Sequence, residues 1–188
     1  SFFLGRAAFY FLVWAVLAFA LSGTSRTLDD TKKDVLVNRL RRISGPGLVL
    51  YFLTVSFAGF DWVMSTDPYW FSTIYGALMI IGQGLATFAF VIIVLQLLGS
   101  HGITGKEGMA DRYHELGNLM LAFVMLWAYI SFSQFLIIWS GNVAEEIPWY
   151  VRRSGGGWQT VGILLIVGHF ALPFLVLLSR RVKRHPSL

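Results

Sequence analysis

The chain has 188 residues, 56% hydrophobic and 13% charged, with a formal net charge of +5 and no cysteine. Soluble domains carry about 25% charged residues, and a charge left in hydrocarbon costs about 2.5 kcal/mol or more, so this composition excludes an ordinary soluble domain and describes a membrane protein. The lack of cysteine excludes disulfides, thiolate nucleophiles, zinc–thiolate sites and cysteine-ligated iron–sulfur clusters, and the basic residues fall between apolar runs, as topology-setting charge does, not along a nucleic-acid-binding face.

Stretches of about 20 apolar residues, enough to cross about 30 Å of hydrocarbon, predict an all-α polytopic transmembrane bundle. The spans fall at 2–21, 47–64, 71–98, 115–139 and 158–178, in a single helical domain over 1–188. An odd number of spans puts the termini on opposite sides. The first span starts directly at the chain's beginning, with neither an initiator methionine nor a signal-peptide layout, and reads as part of a longer polypeptide.

Charge then orients the spans. Twelve of the fifteen Lys and Arg residues lie in connector 22–46, connector 99–114 and the tail after 178, and the other three are Arg6, Arg152 and Arg153. The positive-inside rule makes the first group cytoplasmic. Trp62, Trp70, Trp139, Trp149 and Trp158, five of the seven tryptophans, gather at the opposite boundary. A lipid belt alone would populate both boundaries, so this asymmetry also suits a protein partner or a ligand headgroup there.

The connector between the second and third spans, within GFDWVMSTDPYWFSTIYG (59–76), sets two carboxylates and two tryptophans in a hairpin. Asp67 before Pro68 is a turn and helix-start signal. Asp61, in the last turn of an apolar span, opposes the helix dipole and is partly desolvated, a setting that suits proton exchange. On the third span Thr73, Gly76, Gln83 and Thr87 share a small, polar face suited to close helix packing. On the fourth, His114, Asn118 and Tyr129 lie within about 60° of one another, with Glu115 and Ser133 at the edge of the stripe. Such a face must meet other helices or a water-filled cavity, and it reads either as the cytoplasmic half of a proton path or as interhelical hydrogen bonding.

The last connector sets Glu145 and Glu146 beside Arg152 and Arg153, which predicts mutual ion pairs in a structured loop. Its glycine run 155–157 lacks the Lys-Ser/Thr of a phosphate loop and serves as a lead-in to the fifth span. There His169 precedes Pro173 by four residues, a titratable group beside an expected bend. His114 and His169 differ in depth by about 15 Å at about 1.5 Å per residue, which argues against a haem held between them.

The strings FDWVMSTDPYWFSTIYG and DRYHELGNLMLAFVMLWAYISFSQFLIIWSGNVAEEIPWY resemble the F subunit of bacterial alternative complex III, a quinol:electron acceptor oxidoreductase, within the NrfD-like membrane-subunit family. The resemblance implies a helical subunit of the bacterial inner membrane beside a sister C subunit, with multihaem cytochrome and iron–sulfur subunits on the periplasmic face. Haem c and iron–sulfur clusters would then reside in those partners, this chain binding no cofactor itself. Menaquinol or ubiquinol would be oxidised nearby, and the chain would serve proton conduction. The matching positions are Asp61, Trp62, Asp67, Pro68 and Trp70 in the hairpin, a quinone- or partner-facing candidate, and His114, Glu115, Asn118, Tyr129 and Gln134 in the helix. Position 115 carries Glu where the family pattern has Asp, and the charge is kept. The family has more helices than five, in keeping with a fragment. The candidate proton path comprises Asp61, His114, Glu115, Asn118, Tyr129 and His169. A structural membrane anchor and a secondary transporter are the alternative readings of the same residues.

Overall fold

The structure, a computed structural model, describes residues 2–101 and 109–184. Every regular element among them is helical: α1 (Phe2–Thr31), α2 (Asp34–Trp62), a single 3₁₀ turn (Met64–Thr66), α3 (Tyr75–Ser100), α4 (Met109–Gly141), α5 (Ile147–Arg153), α6 (Trp158–Leu164), a π-helical segment (Leu165–Ala171), α7 (Leu172–Leu178) and α8 (Arg180–Arg184). Five stretches among the described residues are long and apolar enough to cross a membrane: α1, α2 with its 3₁₀ turn, α3, α4, and the run from α6 through α7. Large apolar side chains stay exposed along them, Phe19 at 77% and Phe90 at 66% among them, as lipid-facing surface requires.

The chain divides into two compact units, residues 1–68 with 75–80 and residues 69–74 with 81–188. In the first, α1 and α2 form an antiparallel hairpin. Contacts run in opposite directions along the two helices: Arg6 meets Asp61, the Trp14 Nε1–H donates to Thr54 Oγ1 at 2.9 Å, and Leu17 packs over Gly47. A Cβ at position 47 would come within 2.9 Å of Leu17 Cδ2, so glycine permits the approach. Tyr10, Val13, Val55 and Ala58 form the buried seam.

The 22–46 connector is almost wholly helical. At about 1.5 Å per residue the 30-residue α1 is about 45 Å long, more than about 30 Å of hydrocarbon needs, so the hairpin continues beyond the bilayer core. Along this polar extension the Thr24, Thr27 and Thr31 hydroxyls donate back to the carbonyls of Ala20, Gly23 and Thr27, which satisfies them within the helix. The helix stops at Lys32, whose φ of 51° is left-handed. Pro46 lies inside α2.

In the second unit the core is Leu85 of α3, Val124 of α4 and Leu177 of α7, with Phe123, Phe170 and Phe174 packed against it. Val124 is fully buried. α8 folds back so that the Lys183 stem lies on Gly117 of α4.

Two local expectations are corrected. Asp67 and Pro68 do not start a helix: Asp67 ends the 3₁₀ turn in an extended conformation, and α3 begins only at Tyr75. The intervening chain stays irregular because Trp70 is drawn into the second unit, 4% exposed and stacked on Trp149 at 4.5 Å and 16°. Arg153 forms no ion pair with Glu145 or Glu146 among the described residues. Its guanidinium stacks on the Trp149 ring at 3.8 Å.

Candidate functional sites

The first site is built from the α1–α2 hairpin. Arg6 and Tyr10 are four residues apart on α1 and so share a face, and the antiparallel register brings the last turn of α2 alongside them. Three donors converge on the Asp61 carboxylate: Arg6 Nε at 2.8 Å, Arg6 Nη2 at 2.7 Å and the Tyr10 hydroxyl at 2.9 Å. The Arg6 contact is bidentate, the strongest geometry available to such a pair. The side chains are 38% and 17% exposed. Around them Tyr10, Phe11 and Trp14 of α1 pack against Trp62. Of the outer hairpin candidates, Asp61 and Trp62 thus belong to an ion-paired aromatic cluster of the first unit, whereas Trp70 is buried in the second.

The second site lies at the start of α4. Asn118 Oδ1 accepts from Lys183 Nζ at 2.6 Å, and Asn118 Nδ2 stands 3.4 Å from His114 Nε2. With its oxygen turned to Lys183, the amide presents its NH₂ to the imidazole, an arrangement in which Nε2 is the acceptor. Gly117 makes room for the lysine: a Cβ there would lie 2.8 Å from Lys183 Cγ.

Glu115 is exposed and joins no hydrogen bond among the described residues. Tyr129, eleven residues beyond Asn118 and hence about 16 Å further along the helix, is 68% exposed. The structure therefore brings together His114 and Asn118 from the predicted stripe, adds Lys183, and leaves Glu115 and Tyr129 outside the cluster. Gln134 is 5% exposed, and its Nε2 finds no hydrogen-bond partner among the described residues.

His169 sits in the π-helical segment. Pro173 has no N–H to give the carbonyl four residues back, that of His169, and the turn before it widens, with the Leu172 N–H bonded to the Val167 carbonyl five residues away. π turns of this kind occur as local widenings inside α-helices. The His169 ring packs edge-on against Trp127 at 4.6 Å. Trp127 lies thirteen residues beyond His114 on α4, about 20 Å along the axis, so the two histidines do not converge on one iron.

Arg6, Tyr10 and Lys183 did not emerge from periodicity. The signal for Arg6 was present nonetheless: it is the one cation near the start of the first span, and Asp61 the one anion near the end of the second, which a tight antiparallel hairpin places at equal depth.

Geometry and composition together define a class, an all-α polytopic protein embedded in a membrane. Comparison with protein-family models yields no match, and comparison with curated proteins yields none either.

Proposed function

We propose that the chain is a non-redox membrane subunit of a quinol-oxidising complex of the alternative complex III type, and that its intramembrane polar groups contribute to proton movement. The observation that supports this is a coincidence of position: each string that resembles the F subunit carries one of the two polar clusters. Asp61 of the first string is held by Arg6 and Tyr10, and His114 and Asn118 of the second are tied to Lys183. Ionisable groups in membrane helices mark ion or proton routes more often than packing alone would require. The orientation that goes with this reading puts connectors 22–46 and 99–114 and the C-terminal tail in the cytoplasm of a bacterial cell, with the membrane being the inner one. The partners are a sister C subunit, a multihaem cytochrome and an iron–sulfur subunit, which carry the electrons.

The test is affinity isolation of the chain in mild detergent, followed by haem staining and quinol:acceptor assays. Co-purification of a multihaem cytochrome is expected, and isolation of the chain alone in stable form overturns the reading. His114→Ala and Glu115→Ala should lower the proton-to-electron ratio in complexes that still assemble. An unchanged ratio removes the proton-path component, and lost assembly with no selective defect favours a structural anchor.

A further inference from the structure

We propose that the cavity between the end of α4, α5 and the start of α6 binds one phospholipid with a net negative headgroup. The cavity is about 870 Å³, and every wall comes from the second unit, a size within the range of small-molecule sites, about 300–1,000 Å³. Its lining is divided by depth. Phe135 and Ile138 of α4 face Val161, Leu165 and Ile166, all within membrane-crossing stretches, whereas Asn142, Ser154 and Arg153 line it from outside those stretches. An acyl chain suits the first set and a phosphate the second.

Arg153 supplies the charge complementarity. It has no carboxylate partner among the described residues, and only Nη1 is engaged, donating to the Trp149 carbonyl at 3.0 Å, so most of the five guanidinium N–H groups remain for an anion. Its plane is held over the Trp149 ring at 3.8 Å, and Trp149 is held in turn by the buried Trp70. A guanidinium fixed in this way loses little freedom when it binds phosphate. With no carboxylate beside it among the described residues, the Arg153 guanidinium favours a phosphate whose headgroup carries no cation of its own. Trp139 and Trp158, 69% and 57% exposed, stand at the cavity where an indole contacts both glycerol and chain.

The experiment is native mass spectrometry of the full-length protein released from mixed micelles holding equal amounts of phosphatidylglycerol and phosphatidylcholine with identical acyl chains. The native chain should retain one phosphatidylglycerol with a preference of at least about tenfold. Arg153→Gln should abolish the preference, and Arg153→Lys should keep part of it. Gly162→Leu, which adds a side chain to open space on the cavity wall, should reduce retention of both lipids. Each variant is first checked for native elution and helical circular dichroism, and if Arg153→Gln does not fold, Gly162→Leu decides alone. Equal retention of the two lipids by the native chain, an unchanged preference in Arg153→Gln, full retention in Gly162→Leu, or a neutral isoprenoid lipid retained instead overturns the proposal.

Discussion

Arg6 and Asp61 are 55 residues apart in sequence and meet through two parallel hydrogen bonds of 2.8 and 2.7 Å. The pair closes the free end of the α1–α2 hairpin opposite its turn at Lys32. Removing one partner from a buried pair costs about 3–5 kcal/mol because the other charge is left uncompensated, and partial exposure of this pair reduces that to about 1–3 kcal/mol. Asp61→Asn and Arg6→Gln should each destabilise the protein by that amount in detergent thermal unfolding. The double variant should lose less than the two losses combined, which a double-mutant cycle measures. Additive losses would show that the contact contributes nothing.

Three glycines should differ in their tolerance of a methyl group. A Cβ at Gly84 would lie 2.3 Å from Phe123 Cε1, and one at Gly76 would lie 2.7 Å from Ser56 Cβ with the Ser56 Cα at 3.2 Å. Neither neighbour is a flexible chain end, so Gly84→Ala and Gly76→Ala should each cost about 1–3 kcal/mol. At Gly117 the obstacle is the movable Lys183 stem, and Gly117→Ala should cost less than about 1 kcal/mol. Unfolding midpoints of the three variants rank them directly.

Asn118 joins α4 to α8 through Lys183. Asn118→Leu should free α8, whose basic residues then become better trypsin sites, with cleavage after Lys183 accelerated several-fold. The rest of the chain should remain protected. Equal digestion rates in the native and variant proteins would mean that the hydrogen bond does not hold the tail.

Tyr150 of α5 provides a pH test. Burial pushes its phenol above the ordinary value of 10.0, with Arg153 opposing part of the shift. The folded protein therefore keeps Tyr150 neutral at a pH where the unfolded chain ionises it. The resulting stability is complete below about pH 10 and is lost as pH rises through the folded value. Ultraviolet difference titration should show a late tyrosine component that shrinks by one residue in Tyr150→Phe and moves later still in Arg153→Gln.

Much of the architecture follows from hydropathy alone. The helical continuation through 22–46 does not, because SGTSRTLDDT is polar and has weak helix formers, and it is wound in the structure alongside its partner helix with its threonine hydroxyls turned back onto the helix carbonyls. Asp67-Pro68 carries a sound local helix-start signal that the burial of Trp70 overrides. Glu145 and Glu146 sit near Arg152 and Arg153 in sequence, but the Trp149 face competes for Arg153 and wins, since an exposed ion pair is worth at most about 1 kcal/mol. The stripe on α4 is a true helical face, yet periodicity says nothing about which members have a neighbour within reach. Lys183 becomes visible only once α8 has folded back.

The π segment gives the last span two independent registers. A continuous α-helix would lock the face that α6 turns toward the cavity to the face that carries Leu177 into the core, since each residue advances the helix by about 100°. Widened turns at 165–171 shift one face relative to the other, so Val161 and Gly162 of α6 line the cavity while Leu177 stays buried beside Val124. Deleting one residue from this segment would act as a gear change, turning the cavity wall away from α4 while leaving the hydrophobic length of the span almost untouched.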